Sequence, residues 1–432
     1  MARKLLVCCT ALALLICPEV FAGDLFTNYS VPDGLVSNRI RSLAIDQAGN
    51  LWFGGKNNGA GRFDGSTLIE FTAANSGLSG AAIRDITLDS NGNVWFATSA
   101  GVSRFDGMDW VTYTSIDGLA GNNSFQIVED AQGNMWIATQ RGVSKYDGAN
   151  WITYGEADGL GSQYVTSIFI DAEGNFWFGT KTAGVTRWDG FEWVIYDAEN
   201  ELGPTEVRAI AQDLQGNMWF GTRAKGVFKF DGISWTAYTT EDGLASNDVW
   251  GITVDQSGNM WFATYGGGLS MFDGSNWFSF SAEDGLADNS TNVIMLDDQG
   301  RLWIGSNDGL SMLSLKDALN EIFGKGELDA VAGRSNLPKF HSLSPSAPNP
   351  FNPSTEISYT VPEGGAVPVA LKVFDSRGRL VRTLVKGIIE PGQYSVTWDG
   401  TDNSGRILSS GVYFYRMEAS GFVMTRKMVL LK

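Results

Sequence analysis

Apolar residues along the chain come in short runs separated by polar turns, and the order of those runs repeats seven times. The stretch Asp89 to Gly118, DSNGNVWFATSAGVSRFDGMDWVTYTSIDG, displays the unit. Its tryptophan recurs at Trp52, Trp95, Trp136, Trp177, Trp219, Trp261 and Trp303, at intervals of 43, 41, 41, 42, 42 and 42 residues. Self-similarity at that period marks an array of equivalent structural units.

Each unit predicts four strands. The first is an apolar run ending in an acid, as in Ile252-Thr253-Val254-Asp255. Asp-x-x-Gly-Asn then supplies a turn whose glycine takes positive φ. The second strand is Trp-Phe/Ile-Ala/Gly. Side chains alternate across a strand, so the tryptophan shares a face with the residue two positions on. That residue is Gly54, Ala97, Ala138, Gly179, Gly221, Ala263 or Gly305, small enough to let a neighbouring sheet pack close, and the tryptophan reads as a wedge between sheets. The third strand ends at Asp106-Gly107, a hairpin signal repeated at Asp64, Asp147, Asp189, Asp231 and Asp273. Trp110-Val111-Thr112-Tyr113 forms the fourth. Four-stranded repeats of this length predict an all-β fold, a seven-bladed β-propeller, because each sheet packs face to face with the next around an axis.

The ends of the array predict how the ring closes. The seventh unit carries three strands, through Leu313, and lacks the Asp-Gly hairpin and the fourth strand. The missing piece precedes the first unit: Leu25-Phe26-Thr27-Asn28-Tyr29 followed by Asp33-Gly34-Leu35 matches Trp235-Thr236-Ala237-Tyr238 followed by Asp242-Gly243-Leu244. A strand from the N-terminal side is therefore expected to complete the seventh blade and remove two open sheet edges. The propeller is placed at residues 23–315. Lys316 to Phe323 has helical spacing and opens a helix-and-linker segment, 316–344. Strands at Glu356 to Val361, Val369 to Asp375, Gln393 to Trp398 and Gly411 to Met417 predict a small C-terminal immunoglobulin-like β-sandwich over 345–432.

Composition adds a compartment. Arg3 and Lys4 precede an apolar run from Leu5 to Cys17, and Val20-Phe21-Ala22 offers a cleavage site, so residues 1–22 read as a secretory signal peptide. The run is shorter than the roughly 20 residues of a spanning helix, and no transmembrane segment is expected in the mature chain. Cys8, Cys9 and Cys17 all lie in this leader, which leaves the rest without a thiol or disulfide. Residues 23–334 hold 18 Lys plus Arg against 40 Asp plus Glu, a balance of −22, and residues 335–432 hold 11 against 7, a balance of +4. An acidic propeller argues against nucleic acid. Asp-x-x-Gly-Asn does not have the spacing of a calcium loop, and neither a cofactor nor a metal site is expected.

Two resemblances follow from these motifs. From about Asn38 to Leu313 the array resembles the two-component regulator propeller repeats, in which an apolar strand leads to Asp-x-x-Gly-Asn-x-Trp-Phe/Ile-Gly/Ala-Thr and then Gly-Val/Leu-Ser-Arg-Phe. That resemblance implies an extracellular sensing module. In the family such modules are joined through a membrane helix to a kinase, neither of which is read in this sequence. Propellers of similar kind also occur in a lyase acting on streptogramin antibiotics, which makes a surface lyase or hydrolase the rival reading. Such a lyase is expected to use histidines on the propeller face, whereas the single histidine here is His341, so no catalytic residue is assigned. The tail resembles the type IX secretion C-terminal sorting domain and equally the immunoglobulin-like domain of flagellar hook-capping proteins. The resemblance rests on Pro348-Asn349-Pro350, Val373-Phe374-Asp375, Gly378, Trp398-Asp399-Gly400, Gly411-Val412-Tyr413-Phe414 and Lys427 to Lys432. The sorting reading implies a signal including Gly411, Lys427 and Lys432, an outer-membrane secretion machinery as partner, and a secreted or cell-surface destination.

A binding site is expected where residues depart from the repeat, since the repeating positions are explained by folding. The position five residues before the turn Asp carries Arg41, Arg84, Phe125, Thr166, Arg208, Trp250 and Asn292, near the start of each innermost strand and so at one mouth of the central channel. Arginines with aromatics there suit an anionic or sugar-like ligand, whether glycan, peptide or protein. The loops between second and third strands open at the same mouth and add Arg141, Lys181, Arg223, Lys225 and Tyr265 as candidates.

Overall fold

A computed structural model of the chain describes residues 25–33, 35–64, 66–197, 202–203, 205–323, 341–344, 346–362, 365–419 and 422–431. The leader at 1–22, the linker at 324–340 and Lys432 lie outside the described residues. The chain divides into two compact units, one with seven four-stranded sheets and one with the C-terminal strands.

In the first unit each sheet is an antiparallel meander. The first blade runs Ile40–Ile45, Leu51–Gly55, Ala60–Phe63 and Leu68–Phe71. The seventh combines Thr291–Leu296, Arg301–Ser306 and Leu310–Ser314 with Phe26–Tyr29, which pairs antiparallel with the third strand in the register Phe26 to Leu313 and Tyr29 to Leu310. An N-terminal segment thus forms the outer strand of the last blade.

The second strands are buried along their whole length in six blades, and in the seventh from Leu302 on. Their tryptophans work in two directions. Trp52 stacks on Phe71 of its own fourth strand at 5.3 Å and meets Phe96 and Phe105 of the next blade at 5.8 and 6.2 Å. In the seventh blade the fourth-strand aromatic is Tyr29, whose ring lies 6.1 Å from Trp303. The small residue two positions on is where the next blade comes closest: a Cβ at Gly54 would lie 2.6 Å from Ile83 Cγ2, and one at Gly305 would lie 2.7 Å from Ile40 Cγ2.

The turn aspartates do more than turn. In all seven blades the indole N–H donates to the Asp six residues earlier, from Trp52 to Asp46 at 2.9 Å through Trp303 to Asp297 at 2.9 Å. Where the seventh blade replaces Asn by Arg301, the guanidinium Nε donates to the same carboxylate at 2.6 Å.

The helix Leu315–Phe323 follows the last blade. Leu315 and Ala318 are buried with Phe26, Trp261 and Phe280, so the helix belongs to the propeller core rather than to the linker.

The second unit is a sandwich of two sheets. Thr355–Val361 pairs with Ser342–Leu343 and Gly392–Trp398, and Val367–Asp375 lies between Leu380–Ile389 and Gly411–Ala419, with Phe422–Leu430 outermost. Leu380–Ile389 and Phe422–Leu430 go beyond the four strands expected from pattern, because Arg, Lys and Gly interrupt their alternation. Trp398, Leu371, Val373, Tyr415 and Met417 are fully buried between the sheets. Gly411 pairs with Leu430, and the exposed Lys427 pairs with Phe414.

Candidate functional site

Every innermost strand carries one β-bulge at the same place. In the first blade the register passes from Ile40 opposite Gly55 to Ser42 opposite Gly54, leaving Arg41 as the extra residue. The same shift leaves out Arg84, Phe125, Thr166, Arg208, Trp250 and Asn292 in the other six. A bulge frees one residue from the ladder and re-aims its side chain. All seven side chains line a single cavity of about 430 Å³ in the channel.

The cavity wall is not seven-fold in its chemistry. Arg208 is neutralised by Glu206 at 3.1 Å and Asp248 at 3.0 Å, and Glu206 also meets Arg223 at 3.4 Å. Arg41 has neither an ion pair nor a hydrogen bond among the described residues, and Arg84 reaches only the Ser124 carbonyl, at 3.5 Å. Burial, then the nearby guanidiniums of Arg39, Arg84 and Arg208, hold Arg41 below its ordinary value, and burial does the same for Arg84.

Aromatic rings support these cations. The Arg84 guanidinium lies 4.3 Å from the Phe125 centroid, and Arg208 and Arg41 lie 4.0 and 5.3 Å from that of Trp250. Phe125 in turn packs on Tyr164 at 5.1 Å, and Trp250 on Tyr265 at 5.7 Å. Three buried polar atoms on the bulges, Arg41 Nε, Trp250 Nε1 and Asn292 Oδ1, have no hydrogen-bond partner among the described residues.

The loop candidates divide. Tyr265, Lys181 and Arg223 stand behind the wall, on Trp250, on Tyr164 at 4.4 Å and on Glu206 respectively. Arg141 and Lys225 are exposed on their loops and are not among the residues that line the cavity, which the bulges supply instead.

Sequence reasoning missed Asp85, Gln126, Tyr164 and Glu206, all on the wall. Asp85 and Gln126 occupy a position that is Ser, Ala, Gly or Val in the other blades, a departure that could have found them. Each accepts a backbone N–H from the next blade, Ile127 to Asp85 at 2.8 Å and Ile168 to Gln126 at 2.9 Å. Burial pushes the Asp85 carboxyl up to about 6 against the pull of the Ile127 and Ile86 backbone N–H groups.

This architecture, a seven-bladed propeller with a polar channel mouth and a separate sandwich, defines the class. The chain carries repeats matching the Two component regulator propeller family at 34–57, 77–100, 118–141, 159–182, 243–266 and 285–308, and a FlgD Ig-like domain matching at 349–421. The fifth blade falls outside the matches, where Asn200-Glu201-Leu202 stands in place of Asp-Gly-Leu. No curated protein matches the sequence.

Among solved structures, the extracellular domain of a B. thetaiotaomicron protein assigned to a hybrid two component system is similar at TM-score 0.62 and 19% identity, over 95% of this chain and 58% of that one. PorZ, an essential surface component of the type-IX secretion system of Porphyromonas gingivalis, is similar at TM-score 0.54 and 19% identity, over 92% and 60%. Virginiamycin B lyase from Staphylococcus aureus is similar at TM-score 0.56 and 14% identity, over 67% of this chain and 99% of the lyase. The chain thus spans less than two thirds of the first two. At these identities the likeness shows the fold, which sensor domains and an enzyme share. No helix among the described residues is long and apolar enough to cross a membrane.

Proposed function

We propose that this protein is an exported recognition propeller that binds a ligand at the channel mouth lined by Arg41, Arg84, Phe125, Thr166, Arg208, Trp250 and Asn292. One observation carries the reading: the residues that depart from the repeat are the bulged residues, and all converge on one cavity. Folding explains a bulge in each blade but not the choice of Arg, Trp or Asn at its tip, and convergent polar groups in a concavity are what a binding site needs. Similarity to extracellular domains of sensor-type proteins supports the same reading. The test is a glycan and peptide array probed with the wild type and with a variant carrying alanine at Arg41, Arg84, Arg208, Trp250 and Asn292. Binding is expected to vanish while circular dichroism stays that of a folded propeller; binding that survives would place the site elsewhere.

A lyase reading is favoured less. The virginiamycin B lyase structure includes a catalytically inactive variant in which a histidine is replaced by alanine, and the single histidine of this chain, His341, lies in the sandwich unit, against Phe422. Among the described residues no cluster of His, Cys, Asp and Glu could hold a metal ion.

For destination, we propose that the sandwich is a type IX sorting domain acting with outer-membrane secretion machinery, behind a signal peptide at 1–22. The domain's position behind the propeller and the likeness to PorZ support this. Removal of residues 344–432 is expected to strand a folded propeller in the periplasm of a type IX host, and fusing that segment to a periplasmic reporter is expected to export it. A truncated protein found outside the cell would leave the domain as a sandwich only.

A further inference from the structure

We propose that the ligand of the channel mouth carries an oxyanion beside a hydroxyl or amide N–H, the oxyanion being received between Arg41 and Arg84 while Phe125 and Trp250 position the guanidiniums rather than stack on the ligand. This rests on the reading of the mouth as a binding site and names the chemistry that site would take.

The first ground is charge left without a partner. Residues 23–334 hold 40 acids against 18 bases, so carboxylates are abundant, and Arg208 takes two of them. None is within ion-pair distance of Arg41 or Arg84 among the described residues. Asp85, the neighbour of Arg84 in sequence, accepts the Ile127 N–H across the blade boundary instead. Part-buried guanidiniums close enough to repel one another destabilise the fold unless something neutralises them, and an anion entering the cavity is the neutralising group the wall lacks.

The second ground is the state of the rings. An aromatic platform for a sugar needs a bare face. Trp250 already carries Arg208, Arg41 and Tyr265, and Phe125 carries Arg84 and Tyr164. A cation held over a π face keeps its N–H edge free, and a guanidinium edge is the donor fork that carboxylate, sulfate and phosphate oxygens accept. The rings are therefore shelves for the cations.

The third ground separates a bare anion from a larger ligand. Asn292 is 4% exposed. Its amide donates to the Ile40 carbonyl at 3.0 Å, which leaves Oδ1 as an unpartnered acceptor on the cavity wall. A fully deprotonated oxyanion such as sulfate can satisfy Arg41 and the Trp250 N–H but offers nothing to that oxygen. The ligand must also donate, as a sugar acid or an acidic peptide does, and about 430 Å³ accommodates a molecule of that size.

The experiment is calorimetry and thermal melting of the full chain with digalacturonate, inorganic phosphate, sulfate and the neutral disaccharide lactose, at low and high salt. Digalacturonate is expected to bind most tightly, the two inorganic anions more weakly, lactose not at all, and binding is expected to weaken with salt. R41Q/R84Q is expected to lose roughly tenfold or more in digalacturonate affinity while melting no lower than the wild type, because it relieves repulsion. F125L is expected to weaken binding and F125Y to restore it; N292A is expected to weaken digalacturonate but not sulfate. Lactose binding as tightly as digalacturonate, with R41Q/R84Q unchanged, would overturn the ligand class and leave the mouth as the site. Anions that neither bind nor raise the melting temperature, with R41Q/R84Q melting lower than wild type, would show that the arginines serve the fold.

Discussion

The indole N–H of Trp136 donates to the Asp130 carboxylate at 2.8 Å, and the same oxygens also accept from the Asn134 side chain at 2.8 Å and from the backbone N–H groups of Asn134 and Gln132 at 2.9 Å. One carboxylate thereby fixes a turn and the wedge that fills the space beside the next blade. Asp130→Ala is expected to leave several buried donors unpaired and to cost about 1–3 kcal/mol, read as a lower midpoint in urea unfolding. Burial alone would raise the Asp130 carboxyl, but the N–H donors outweigh it and hold it below the ordinary value, as at Asp46 and Asp297. The stability such a group adds is present above the unfolded value near 4 and is lost as pH falls through the lower folded one. Melting temperature is therefore expected to drop steeply below about pH 4, with a shallower drop in the alanine variant.

Blade spacing gives a second prediction. A Cβ at Gly54 would meet Ser42 Oγ at 2.2 Å and Ile83 at 2.6 Å, and the backbone there is ordinary strand, so the limit is steric. Gly54→Val is expected to destabilise by about 1–3 kcal/mol through overpacking. Ala97→Gly, at the equivalent place in a blade that already holds a methyl, is expected to cost only about 0.5–1 kcal/mol. Equal costs in chemical denaturation would mean that this position does not set the spacing.

Ring closure is testable at its outer strand. Phe26 is 5% exposed and meets Phe280 edge-on at 6.2 Å, and Tyr29 is the aromatic partner of Trp303. Removing residues 25–29 is expected to bare the edge of Leu310–Ser314, lowering the melting temperature by several degrees or causing association. A monomeric variant that melts like the wild type would show that the ring does not need the strand.

Asp85 predicts the opposite pH slope to Asp130. Its carboxyl is pushed up to about 6 by burial, so folding favours the protonated form. The stability this adds is present below about pH 4 and lost as pH rises toward 6. Asp85→Asn keeps an acceptor for the Ile127 N–H and removes that titration. It is expected to raise the melting temperature at pH 7 and to leave it little changed at pH 4; a variant less stable at pH 7 would mean that the ionised carboxylate is needed.

Blade count, strand order and the completing role of Phe26–Tyr29 were legible along the chain, because each rests on local signals: the tryptophan interval, the Asp-Gly hairpins and the residue alternation within strands. The sequence also singled out the positions of Arg41, Arg84 and Trp250 as departures from the repeat. Only the tertiary structure showed why those side chains share a cavity, since a bulge is defined by the partner strand opposite it, as where Ile40 and Ser42 bracket Arg41 against Gly55 and Gly54. It alone separated Arg208, neutralised by Glu206 and by Asp248 of the next blade, from Arg41 and Arg84, which have no carboxylate within ion-pair distance among the described residues. Charge pairing across blades depends on distances between residues some forty positions apart, and a periodic sequence carries the positions but not the directions in which their side chains turn.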